Sequence, residues 1–185
     1  MKMKYIAGAM CAMAVCLAGC GDSQPEAATN TGVPAPDLAK LTEMEVQEVL
    51  MHPLAQGHVI QVEAMEGDQK GTVVPIVVGE REAQVLSMKI RRQSSVRPLT
   101  HDLALAFVAE LGGKVKYVVV EDLRDDIFLA RVYMTNKDGV LCSVDSRASD
   151  AIILAVSTGV PLHFSNKVIQ KTGIKPQKPP PDSAI

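Results

Sequence analysis

KVKYVVVEDLRDDIFLARVYMTNKDGVLCSVDSRASDAIILAVSTG, residues 114–159, is the stretch that decides the fold. Tyr117–Val120 is an unbroken apolar, β-branched run, which predicts a strand buried on both faces. IFLARVYMT (127–135), the turn NKDG and VLCSVD (140–145) predict a hairpin. ASDAIILAVST (148–158) follows without a linker and is apolar enough for a buried helix, with Gly159 where a left-handed residue would end it. Working outward, HVIQVEAM (58–65), the turn GDQKG and TVVPIVVG (72–79) predict a second hairpin. Pro75 has no N–H to give a ladder, which favours an edge or a bulge. EREAQVLSMKI (80–90) has helical spacing through Ala83, Leu86 and Ile90. RPLTHDLALAF (97–107) opens another helix: Pro98 suits its start, Thr100 is a candidate N-cap, and Gly112-Gly113 ends it. Leu103, Phe107 and Leu111 share one face and Leu105 and Val108 fill another, so burial is expected. LTEMEVQEVLM (41–51) reads as a short amphipathic helix with a Thr42/Glu45 capping box, stopped by Pro53. PLHF (161–164) and NKVIQKTG (166–173) add a short strand and a last helix. The fold class is α+β, a single domain: a mixed or antiparallel sheet built from two hairpins, with helices packed on it. No internal repeat of solenoid period is present.

The ends read differently. MKMK supplies Lys2 and Lys4, and Tyr5–Gly19 is apolar but, at about 1.5 Å per residue, falls short of the roughly 30 Å hydrocarbon core. It is expected to be a signal peptide, 1–19. LAGC (17–20) resembles the lipobox of bacterial lipoproteins, which implies lipid on Cys20. Gly21, unlike the aspartate that retains lipoproteins in the inner membrane of enteric bacteria, points to the outer membrane, on the periplasmic face of the cell envelope. Residues 20–40 read as lipidated Cys plus flexible tether, 41–173 as the domain, and 174–185 as a Pro-rich disordered tail. Of four cysteines, only Cys142 falls in the domain, where it reads as a small buried hydrophobe.

The formal charge of −2, from 19 Lys+Arg and 21 Asp+Glu, lacks the basic excess of a dedicated nucleic-acid binder. It is uneven, however: Lys89, Arg91, Arg92 and Arg97 cluster without an acid, and EDLRDD (121–126) is acidic. The sequence has no P-loop, HExxH, GxSxG or CxxC. The polar groups that could do chemistry lie at element ends. Thr100-His101-Asp102 is either a capped helix start or an acid–base pair. In VDSRASDA (144–151), Asp145 or Ser146 could cap a helix and Arg147 pair with Asp150 three residues on; equally, two carboxylates and an arginine could hold a divalent cation and a phosphate. Glu80 and Glu82 after Gly79 are ordinary first-turn acids or ligands. The basic run is a solvated loop or a phosphate track, without an aromatic for base stacking.

VPIVVGEREA (74–83), RPLTHDL (97–103) and VDSRASDAIILAV (144–156), together with VVVEDLRDDIFLARVYM (118–134), resemble the bifunctional nuclease domain family from about His58 to Phe164. The positions carried over are Gly79, Glu82, Arg97, Thr100, His101, Asp102, Asp145, Arg147, Ser149 and Asp150. The usual Arg-Pro-Ser-Asp run appears here as Arg147-Ala148-Ser149-Asp150. The resemblance implies an α+β fold and cleavage of RNA, DNA or both. The expectation is a membrane-tethered nuclease assisted by Mg or Mn. Asp145 and Asp150 would hold the ion, with Glu82 or Asp102 as further carboxylates. His101 would move a proton, and Arg97, Arg147, Arg91 and Arg92 would bind phosphate. The competing expectation is a non-catalytic, lipid-anchored interaction or structural module. Expected partners are RNA or DNA, the membrane through Cys20, and a further copy of the chain.

Overall fold

The computed structural model describes residues 32–51 and 57–175. The expected leader, the Cys20 expected to carry lipid, most of the expected tether and the expected tail from 176 onward lie outside the described residues.

The elements in chain order are β1 (Leu41–Met51), β2 (His58–Ala64), β3 (Val73–Val78), α1 (Glu80–Ile90), α2 (Thr100–Glu110), β4 (Lys114–Arg124), β5 (Ile127–Thr135), β6 (Leu141–Arg147), α3 (Ala148–Thr158), β7 (Leu162–Ser165) and α4 (Asn166–Thr172). The strands form one sheet in the order β3-β2-β1-β7-β4-β5-β6. Every pairing is antiparallel except β4 with β7. The α+β class, the mixed sheet and both hairpins are as the sequence predicts. Pro75 lies in β3, an edge strand, where its missing N–H costs little.

One core joins these elements. Alternate residues of β2 (Ile60, Val62, Ala64) and β3 (Val74, Ile76, Val78) face it, with Val118 and Val120 of β4. Ala83 and Leu86 of α1, Ala151, Ile152 and Ile153 of α3, and Val168 and Ile169 of α4 meet them. Each large side chain removed from water contributes roughly 1.5–3 kcal/mol. Val119 is buried on the other face of β4, where Tyr117 stacks on Tyr133 with ring centroids 4.8 Å apart. The apolar run 117–120 therefore is covered on both sides.

Three expectations are corrected. Residues 41–51 are a strand, not a helix. A bulge between Val46 and Glu48 shifts the alternation, so Met44, Val46 and Val49 all turn to the core. That irregular spacing imitates a helical stripe, and pairing with both β2 and β7 overrides the helix-forming Glu, Met and Leu. Secondly, α2 has no buried residue. It packs mainly on α3 and β4, with Leu105 against the edge of the core, and Leu103, Phe107 and Leu111 are 48%, 59% and 77% exposed. Thirdly, Thr100 is the first helical residue and not the N-cap; Leu99 holds that position, and the Asp102 carboxylate accepts its N–H at 3.1 Å. In addition, residues 32–40, read as tether, lie against the sheet. Val33 N–H donates to the Leu141 carbonyl at 3.1 Å, and Leu38–Lys40 form a short 3₁₀ turn capped by Asp37. Cys142 is half-buried, its thiol donating to the Met134 carbonyl.

The C-terminal elements tie the sheet together. Ile174, just past α4, pairs with Val73 of β3, while α4 also packs on β4. Asp122, buried near the end of β4, accepts from Lys167 at 2.8 Å and Lys171 at 3.4 Å on α4, and from Arg124 at 2.9 Å. Hydrogen bonds from Lys167 and then Arg124 hold its carboxyl far below the usual carboxylate range. A carboxyl depressed in the folded state stabilises above its unfolded pKa and loses that contribution as pH falls toward the folded value. Asp122→Asn is therefore expected to lower Tm at pH 7. The wild type's Tm should fall more steeply than the variant's below about pH 4, so that the two curves converge. Thermal melts from pH 7 to 2 check this.

Candidate functional site

The two edge strands, β3 and β6, are far apart in the sheet order but near each other in space. Ile76 and Val77 of β3 line one hollow with Asp145–Ser149 at the end of β6. Helix α1 leaves β3 at this seam and α3 leaves β6 beside it. α1 packs on α3, and the start of α2 closes the third side. Three helix N-termini thus converge on an open cleft of about 860 Å³. Its polar wall carries Glu80, Glu82, Thr100, His101, Arg147 and Asp150; Val85, Ala104 and Leu154 make it apolar below.

The centre of this cleft is the Asp150 carboxylate. Arg147, the N-cap residue of α3, reaches it through a two-pronged contact: Nε donates to Oδ2 at 2.7 Å and Nη2 to Oδ1 at 3.0 Å. This is the i,i+3 pair expected from the sequence. The same Nη2 donates to Glu82 Oε1 at 3.0 Å, which joins α1 to α3. From α2, His101 Nε2 stands 3.0 Å from Asp150 Oδ1. Burial pushes the Asp150 carboxyl up, but hydrogen bonds and charge from Arg147 and His101 outweigh it and hold it below the usual range. Hydrogen bonding to Asp150, with its charge, in turn raises the Arg147 pKa further. An ionised carboxylate can only accept, so the shared proton belongs on His101 Nε2, which leaves Nδ1 as the acceptor in the neutral tautomer. Arg147 Nη1 has no hydrogen-bond partner among the described residues.

Gly79 makes room beside this group. It caps α1 with ordinary dihedrals, yet a Cβ there would stand 2.7 Å from Glu82 Oε2. The missing side chain leaves room for Glu82 to fold back over the helix start.

Not every residue marked from the sequence enters the cleft. Asp102 faces the other side of α2, bonded to Leu99 N–H and to Lys89 Nζ. The Lys89 hydrogen bond, above all, lowers its pKa. Asp102 is thus a cap and a clasp between α1 and α2. Lys89, counted with the basic run, is its partner, which no local pattern could show. Asp145 lies in the extended end of β6 and opens on the neighbouring hollow with Asp126, Phe128 and Ser149. Asp150, in the first turn of α3, lines the cleft instead. Ser149 lines that second hollow as well. Arg91, Arg92 and Arg97 form no ion pair among the described residues; Arg92 borders a hollow with Lys89, Ser94, Ser95 and Asp102 on the far side of the α2 start. Val85 and Leu154, the apolar wall, carry no sequence signal, because their meeting depends on α1 packing against α3. Among the described residues, no three His, Cys, Asp or Glu side chains are grouped to cage a metal ion.

The sequence pattern of the bifunctional nuclease domain matches residues 64–177. An uncharacterized protein of Mycobacterium tuberculosis is 31% identical over 101 residues, 55% of this chain and 59% of that one. Bifunctional nuclease 1 of Oryza sativa subsp. indica is 24% identical over 133 residues, 70% of this chain and 39% of the relative. Bifunctional nuclease 2 of Oryza sativa subsp. japonica is 27% identical over 114 residues, 60% and 35% of the two chains. The chain thus spans 59% or less of the length of these relatives.

The Gly79–Glu82–Arg147 arrangement makes a specific expectation. In the wild type, a double-mutant cycle with Glu82→Ala and Arg147→Ala should give a coupling of about 0.2–1 kcal/mol, typical of an accessible pair. In a Gly79→Ala background that coupling should vanish, while overall stability falls by less than about 1 kcal/mol, since Glu82 can swing aside. Denaturant melts of the variants measure both.

Proposed function

Since this chain belongs to the bifunctional nuclease domain family, we propose that it hydrolyses phosphodiester bonds of RNA, DNA or both, in the cleft around Asp150. The observation that carries the reading is the clamped carboxylate: Asp150 held by Arg147 on one side and by His101 on the other. In this reading Asp150 orients the imidazole and balances its charge when it takes a proton. His101 Nδ1 acts as general base toward the attacking water, whose oxygen bonds to phosphorus as the bond to the leaving sugar oxygen breaks, and the proton taken up passes to that oxygen through the imidazole or solvent. Arg147 offers its free Nη1 to a phosphate oxygen while Glu82 and Asp150 keep the guanidinium plane still. Charge that develops on the phosphoryl oxygens then meets a donor already in position. The unpaired Arg97, Arg91 and Arg92 would attract the flanking backbone.

Mg or Mn assistance is part of the same proposal. Of the carboxylates in the cleft, Glu82 and Asp150 are taken by Arg147, Glu80 forms no ion pair among the described residues, and Asp145 stands in another hollow. Among the described residues these side chains form no preformed metal cage. A cation arriving with substrate phosphate would need only one or two carboxylates. We also propose that lipid on Cys20 tethers the domain to a membrane, in the outer membrane's periplasmic leaflet. Its substrate there would be nucleic acid from outside the cytoplasm.

The test is cleavage of end-labelled single-stranded RNA and DNA with Mg²⁺, Mn²⁺ or EDTA. His101→Ala is expected to lower kcat about 10²–10⁴-fold. Arg147→Lys, which keeps the charge but loses the fork, should lower kcat, because the donor it removes meets charge that develops in the transition state. Both variants must melt like the wild type. Cleavage that is equal in wild type and variants, or absent in all, would leave the tethered interaction module as the better account.

A further inference from the structure

Helix α2 is anomalous among the helices. Seven of its residues, from Leu103 to Ala109, are an unbroken apolar run, yet none of its eleven residues is buried. Leu103, Phe107 and Leu111 lie at i, i+4 and i+8 and form an exposed stripe along its outer side. A stripe of this size on a soluble domain marks an interaction surface.

Charge says what covers it. Glu110 ends α2, where the carbonyl end of the helix dipole is negative, and no basic residue stands in that last turn. A carboxylate there is placed against its own helix. At the opposite end Arg97 precedes the N-terminus, where the dipole is positive. Neither Glu110 nor Arg97 forms an ion pair among the described residues. Glu110 is therefore unfavourably placed within one copy, while at the other end Asp102 answers the dipole and Arg97 is left as an exposed cation without an ion-pair partner among the described residues. A twofold axis across the middle of α2 would lay two copies antiparallel. It would bring each Glu110 to the other copy's Arg97 and helix N-terminus, and each Phe107 stripe onto the other. Beyond residues 1–20, the segments outside the described residues are poor occupants: 21–31, 52–56 and 176–185, GDSQPEAATNT, HPLAQ and PQKPPPDSAI, contain two large apolar side chains, Leu54 and Ile185.

We propose that α2 is an isologous dimer interface and that its partner is a second copy of this chain. The inference does not rest on the proposed nuclease activity. It bears on it, because Thr100, His101 and Ala104 of the same helix line the cleft. A second α2 beside them would stand at the cleft's rim and bring the two copies' clefts onto one side of the assembly.

The experiment is light scattering or sedimentation equilibrium on residues 21–185, which contain every described element, at roughly 1–100 µM. The wild type should have the mass of a dimer in the upper part of this range. Phe107→Glu should have the mass of a monomer with unchanged circular dichroism, because Phe107 contributes little to the fold of a single copy. Arg97→Glu and Glu110→Arg should each raise the dimer dissociation constant by about 10-fold, and the double exchange should restore it. That exchange, made at exposed positions, keeps the test decisive if Phe107→Glu fails to fold. A wild type that is monomeric throughout would overturn the proposal. So would a dimer that survives Phe107→Glu, or single charge variants whose effects merely add in the double exchange. A stripe protected only when residues 1–20 are present would assign it to the apolar leader instead.

Discussion

The four residues of β7 hold this molecule together. The sheet consists of two three-stranded antiparallel units, β3-β2-β1 and β4-β5-β6, and the only strand between them is Leu162–Ser165. It pairs antiparallel with β1 through Leu41–Met44 and parallel with β4 through Val118–Val120. Leu162 and Phe164 point from it into the core, and Phe164 is wholly buried. Ser165 accepts Val168 N–H and starts α4, whose lysines then close on Asp122. A parallel partner cannot be supplied by a tight turn, so α3 must intervene between β6 and β7. The strand that joins the halves therefore also dictates where α3 runs.

From that follows the position of the cleft. With β7 in the middle, β3 and β6 become the two edges, and the helices that follow them start at the edges. The approach of those edges at Ile76, Val77 and the end of β6 lets α1 and α3 begin side by side. Helix starts offer free N–H groups and the positive end of a dipole, which favours anionic groups there. Asp150, Glu82 and Asp102 each occupy such a first turn. Two of them share Arg147, and the third is diverted to Lys89. The cleft is thus a by-product of where the two sheet edges lie, made specific by one arginine and one histidine.

The exposed α2 is the counterpart of this arrangement. Its N-terminus is anchored at the cleft through His101 and to α1 through Asp102, and its far end through Gly113, whose surroundings leave no room for a side chain: a Cβ would stand 3.0 Å from the Thr135 carbonyl. Between those anchors it rests on the rim of the core and not within it. Apolar sequence alone marked this helix as buried. Apolarity states that a surface avoids water; it does not state whether the cover is the same chain or another one.

The residues alone determined the α+β class, both hairpins, α1, α3 and α4, the edge position of Pro75 and the Arg147–Asp150 pair. All of these depend on periodicity, turn residues or contacts within four positions, where local chemistry decides the outcome. They also carried the family likeness in three separate motifs. What only the tertiary structure decided is the strand at 41–51, where pairing on both sides and a bulge outweighed helix propensity. It also decided the division of the carboxylates: Asp150 and Glu82 inside the cleft, Asp102 on the far side, Asp145 in a neighbouring hollow. Side-chain direction at a strand–helix junction depends on where the neighbouring elements stand. Glu82 and Arg147 lie 65 positions apart, and His101 and Asp150 lie 49 apart. No local rule spans such distances; the curl of the sheet about β7 does.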